Sequence, residues 1–204
     1  MATITDIKDQ KKPGRVSVFV DKKYSFSCPE LELAKLGLAI GQTLSTTQLA
    51  RIKNQTEVAK ATEKALDYLD LRPRSIFEMK AYLQRKGYDA TSVDQAIAYL
   101  IDKQLLNDRN FAITWIENRK LLNPRSKKQL RLELFQKGLD RQLVAEVLVD
   151  YQDVDEETAL KEIIEKRGRL YQDQAKLISY LMRKGFNYRL IKTYLTEFNQ
   201  RTIK

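Results

Sequence analysis

The chain has 204 residues, with 37 Lys and Arg against 27 Asp and Glu, a formal net charge of +10. That length buries a core without disulfides, and the lone Cys28 cannot form an intramolecular one, which fits a reducing compartment. With no histidine in the chain, a His general base, Ser-His-Asp or Cys-His catalysis and a His-ligated metal are excluded. Neither GxxxxGK[ST] nor GxGxxG occurs, so a nucleotide cofactor has no visible seat. The expectation is a protein that is not an enzyme and holds no cofactor. No apolar run approaches the roughly 18–20 residues of a membrane span. The opening Met1-Ala2-Thr3-Ile4 lacks a basic stretch followed by an apolar one. A cytoplasmic location is expected.

Residues 1–56 read as a small sheet with short helices. Val16, Val18 and Val20 alternate with Ser17 and Phe19, and Tyr24, Phe26 and Cys28 alternate after Asp21-Lys22-Lys23. Period-two patterning around a short polar turn predicts a β-hairpin, and Thr3 to Ile7 supplies a third strand. Pro29-Glu30-Leu31 opens a short helix that Gly37 stops, and Ser45 or Thr46 caps another. The composition shifts near Glu57, and residues 1–56 are expected to be dispensable for the folding of the helical remainder.

From Glu57 onward the chain repeats itself. Gly87, Gly138 and Gly185 recur 51 and 47 residues apart, each preceded by Lys and followed by an apolar residue and then Asp89, Asp140 or Asn187. A period of that size marks an array of supersecondary units. Each unit reads as three helices. Ser75-x-x-Glu78 and Ser126-x-x-Gln129 are capping boxes at the start of the second helix, and Asp173 caps the third copy. Lys86, Lys137 and Lys184 sit at the negative end of that helix, the glycines supply its left-handed C′ residue, and Asp89, Asp140 and Asn187 cap the third helix. Ala61, Ala65 and Leu69, then Phe111, Ala112, Trp115 and Ile116, then Ala159, Leu160, Ile163 and Ile164 mark the first helices. The expected fold is mostly α, with three tandem three-helix repeats in an elongated array (57–106, 107–153 and 154–204) after the hairpin region 1–56.

Charge segregates within the repeats. The second-helix segments 72–88, 123–141 and 172–189 hold 15 basic and 4 acidic residues, whereas 150–165, a first-helix segment, holds one basic and seven acidic. Arg74, Lys80, Arg125, Lys127, Lys128 and Arg131 lie at or near helix N-termini, where the dipole disfavours cations. A cluster that opposes local stability points to a polyanionic partner.

Several of these residues resemble the RecX family of recombination regulators over about 57–200. Arg72-Pro73-Arg74-Ser75 through Glu78-Met79, Leu83 and Lys86-Gly87-Tyr88 is similar to the first-repeat signature. So, for the later repeats, are Leu106-Asn107-Asp108 with Phe111-Ala112 and Trp115-Ile116, Glu133-Leu134 with Lys137-Gly138, and Tyr180-Leu181 with Arg183-Lys184-Gly185-Phe186. Asn123 departs from the pattern, a Gly being common there. The resemblance implies a monomeric modulator that binds the RecA filament on DNA and inhibits its ATPase, strand-exchange and coprotease activities. It also implies sequence-independent binding to single- and double-stranded DNA. The candidate DNA- or filament-binding residues are Arg74, Lys80, Arg85 and Lys86, then Arg125, Lys127, Lys128, Arg131 and Lys137, then Lys176, Arg183 and Lys184.

Two other readings use the same architecture. A helix-turn-helix transcription factor has similar three-helix units, but the third helices here share no base-reading pattern of Asn, Gln or Arg. A helical scaffold without a nucleic-acid role is the other.

Overall fold

The computed structural model describes residues 1–149, 151, 153–171 and 173–202. The chain is mostly helical with a small N-terminal antiparallel sheet. It divides into two compact units, residues 1–72 with 79–106, and residues 73–78 with 107–204.

In the first unit, β1 (Ala2–Asp9), β2 (Arg15–Val20), β3 (Lys23–Pro29) and β4 (Thr43–Leu44) form one sheet in the order β3-β2-β1-β4. The β2–β3 turn consists of Asp21 and Lys22, both left-handed at φ 50° and 64°, the conformation a two-residue hairpin needs. Asp21 tolerates it because its carboxylate accepts from Thr3 N–H at 3.0 Å. Ile4, Val16, Val18, Val20, Phe26 and Cys28 bury one face of the sheet against Leu38, Leu44 and Ile52. The alternation foresaw that face. α1 is short (Glu30–Lys35).

α2 differs from the expected pair of helices. It runs unbroken from Thr46 to Leu69, started by a capping box in which Ser45 accepts from Gln48 N–H and Gln48 reaches back. No Gly or Pro interrupts it. Ile52 belongs to the sheet core, while Ala61 and Ala65 are buried further along the same helix. Glu63 accepts from Lys12 at 3.0 Å and Arg15 at 2.5 Å, and those contacts hold its carboxyl below the usual range despite partial burial. The compositional shift at Glu57 therefore lies inside an element, and the sheet and the first repeat share one compact unit. α3 (Ile76–Arg85) and α4 (Ala90–Asp102) complete that repeat with buried Met79, Leu83, Val93, Ala96, Ile97 and Leu100.

The second unit contains α5 (Asp108–Leu122), α6 (Lys127–Gln136) and α7 (Arg141–Val147), then α8 (Asp153–Arg167), a short 3-10 turn (Gly168–Leu170), α9 (Gln174–Arg183) and α10 (Tyr188–Thr202). Each trio has its own apolar centre. Phe111, Ala112, Ile116, Leu130, Leu134, Leu139, Val144, Val147 and Leu148 form one. Ala159, Leu160, Ile164, Leu177, Leu181, Phe186, Ile191 and Leu195 form the other. The corners match the expected chemistry. Asp89, Asp140 and Asn187 accept from the first-turn N–H groups of Ser92, Leu143 and Arg189.

Candidate nucleic-acid interface

Two joints of one design organise the second unit. Ser75, fully buried, accepts from Glu78 N–H and donates its hydroxyl to the carbonyl of Lys137 at 2.7 Å. Ser126, also fully buried, accepts from Gln129 N–H and donates to the carbonyl of Lys184 at 2.6 Å. Beside each serine a carboxylate accepts the next backbone N–H: Asp108 from Ile76 at 2.8 Å, and Glu156 from Lys127 at 3.1 Å. The N-cap of one second helix is thus sealed by the C-terminus of the next and by an acid from the intervening first helix. Each joint satisfies three groups that a helix end leaves unpaired, two N–H and one carbonyl. Burial raises the Asp108 carboxyl above its usual range, against the pull of the Ile76 bond.

Several cations of the second helices have partners within the fold. Arg125 donates to Glu133 at 3.1 Å, and Lys127 Nζ donates to the Tyr151 carbonyl at 3.1 Å. Lys137 pairs with Glu78 at 2.6 Å, and Lys80 with Asp94 at 2.8 Å. Burial works to raise the Glu133 carboxyl, but hydrogen bonds from Arg119, Trp115 and Arg125 outweigh it and hold the group below its usual range. Lys80, Arg125 and Lys127 thus have partners within the fold, which corrects the reading that their charge opposes local stability, and Lys137, at the favourable end of α6, has one as well. Arg74 is half-buried beside the first joint.

The other candidates face solvent. Arg85 and Lys86 on α3, Lys128 and Arg131 on α6, and Lys176 and Arg183 on α9 are exposed. Among the described residues none of the six has an ion pair. Lys86 lies 5.6 Å from the Tyr82 ring centroid, and Tyr82 stacks on Tyr68 at 3.8 Å. Lys184 lies half-buried, 5.7 Å from the Tyr180 centroid. Trp115 is core-facing, as its spacing implied, and packs against Phe111.

Three contributors escaped the sequence reading. Arg167 lies 5.9 Å from the Tyr180 centroid, and Lys166 shares a cleft with it. Their signal was a basic last turn on an otherwise acidic helix. Tyr151 is buried, donates its hydroxyl to the Arg125 carbonyl at 2.7 Å, and has its phenol pushed up by that burial. Among the described residues no group of three or more His, Cys, Asp or Glu is placed to hold a metal, and no helix is long and apolar enough to cross a membrane.

A small sheet followed by three-helix units whose second helices carry exposed cations defines a helical-repeat protein. Family models agree with that class. Residues 2–45 match the regulatory protein RecX N-terminal domain, 61–100 the first RecX three-helix domain and 107–148 the second. Proteins described as "Regulatory protein RecX" are similar along nearly the whole chain. One from Listeria monocytogenes is 32% identical over 95% of this chain and 75% of its own length. One from Bacillus licheniformis is 32% identical over 97% and 78%. A crystal structure of a regulatory protein RecX superposes with a TM-score of 0.72 at 25% identity, over 95% of this chain and all of that one. RecX from Lactobacillus salivarius gives 0.62 at 27% identity, over 71% of this chain and 97% of that one. The chain belongs to the RecX family of regulatory proteins.

Proposed function

We propose that this chain regulates the RecA recombinase by binding its filament on DNA and suppressing ATP hydrolysis, strand exchange and coprotease activity. Family membership supports the partner. The observation that carries the surface is the set of exposed cations on α6 and α9, Lys128, Arg131, Lys176 and Arg183, none of which has an ion pair among the described residues. Such side chains lose little on meeting phosphates, because no internal partner is given up. In this reading the protein acts in the cytoplasm as a monomer and contacts single- and double-stranded DNA without sequence preference. Its domains are the N-terminal sheet region and three successive repeats.

The surface is tested by cosedimentation with RecA–DNA filaments and by salt titration of DNA binding. Replacing Lys128, Arg131, Lys176 and Arg183 together with Ala leaves both joints intact. If all four meet phosphates, the slope of log K against log salt becomes shallower by about 3 units on single strands. Wild-type affinity of the quadruple variant for naked DNA and for the filament would rule this surface out.

A further inference from the structure

The two joints share a design but not a charge balance. In the first, Lys137 has Glu78, and Arg119 has Glu133 at 2.7 Å. In the second, Lys184 and Arg167 occupy the matching places at the ends of α9 and α8. Gln129 stands where the first joint has Glu78, and Tyr180 where it has Glu133. Both carboxylates are gone while both cations remain. Among the described residues neither Arg167 nor Lys184 has an ion pair, and the two share the Tyr180 ring.

These groups line a cleft of about 360 Å³ that also takes in Arg125, Lys166 and Glu162. Glu162 is committed to Lys166 at 3.0 Å, and Glu133 serves both Arg119 and Arg125. The cleft therefore carries uncompensated positive charge, held in place by the Ser126–Lys184 bond. Converging cations repel one another unless an anion joins them. We propose that this cleft is a nucleotide site, in which Arg167 and Lys184 hold a phosphate and Tyr180 is the platform for a base. A planar guanidinium beside an ammonium and an aromatic ring is a set suited to a phosphate joined to a base. A volume of a few hundred Å³ is ordinary for such a ligand. The exposed Leu122 and the half-buried Ile163 give the cleft an apolar wall. A strand of single-stranded DNA and a free nucleotide share this chemistry. The inference deepens the nucleic-acid part of the proposed function and rests on it.

The test uses the full-length protein, a short labelled oligo(dT) and, separately, ATP. Arg167→Gln with Lys184→Gln should weaken oligonucleotide binding about tenfold or more. Tyr180→Glu rebuilds the arrangement of Glu133 with Arg119. It should keep the melting temperature while abolishing the same increment of binding, whereas Tyr180→Phe should retain it. Displacement of the oligonucleotide by ATP assigns the cleft to free nucleotide, and its absence assigns the cleft to a strand. Wild-type affinity in both the double variant and Tyr180→Glu overturns the cleft but leaves the regulator reading standing, since that is read by filament cosedimentation of the unaltered chain. A chain that binds neither probe also overturns it.

Discussion

Ser126 Oγ donates to the carbonyl of Lys184 at 2.6 Å across 58 residues of chain. The same hydroxyl caps its own helix, so one buried side chain joins local and long-range order. Ser126→Ala removes a cap and also takes away the hydroxyl that pairs a part-buried carbonyl. The expected loss is about 2–3 kcal/mol in urea unfolding, against roughly 1 kcal/mol for Ser45→Ala, whose cap is exposed. Equal losses would show that the Lys184 bond contributes nothing.

The glycines that end the second helices should not respond alike. All three have positive φ, so Ala at any of them costs about 1–2 kcal/mol of backbone strain. At Gly87 nothing lies within 4 Å of an added Cβ, and strain is the whole effect. At Gly138 the added atom would lie 2.2 Å from Phe77 Cβ, so the joint itself must open. Gly138→Ala is expected to lower the melting temperature well below that of Gly87→Ala. Matching melting temperatures would contradict the closeness of the first joint.

Glu133 makes stability depend on acid. Its folded pKa is held below the ordinary value of 4.5, so its contribution is fully present above that value. The contribution is lost as pH falls through the folded pKa. Glu133→Gln should therefore destabilise the protein at neutral pH, and the gap to wild type should close in acid. Melting curves of both proteins from neutral pH to below about 4 check this. A gap that stays constant across the range would mean that the Arg119 and Arg125 contacts do not depend on charge.

Truncation tests the continuity of α2. Removing residues 1–56 takes away the Ser45 cap, Ile52 and both cations that bind Glu63. The truncated chain is expected to lose cooperative unfolding of its first repeat, whereas the second and third repeats keep theirs. Amide exchange would show this as unprotected amides confined to the region up to Leu106. Full protection there would restore a boundary near Glu57.

The caps, the corner glycines and the core spacings were readable because each is local: a cap acts over three residues, and a helix face repeats within four. The partners of Arg125, Lys127 and Lys137 were not readable. Their acceptors Glu133, Tyr151 and Glu78 depend on how elements dock, and a charge count treats a paired cation like a free one. Arg167 was missed because it ends a helix whose average charge is acidic. The continuity of α2 was missed because a change of composition mimics a change of element.

Regulation of RecA is read out by the ATPase of the cognate RecA on single-stranded DNA. Adding this protein below a one-to-one ratio should slow hydrolysis, and the quadruple variant of Lys128, Arg131, Lys176 and Arg183 should slow it less. An unchanged rate at one-to-one with the unaltered chain would contradict regulation of RecA by this protein.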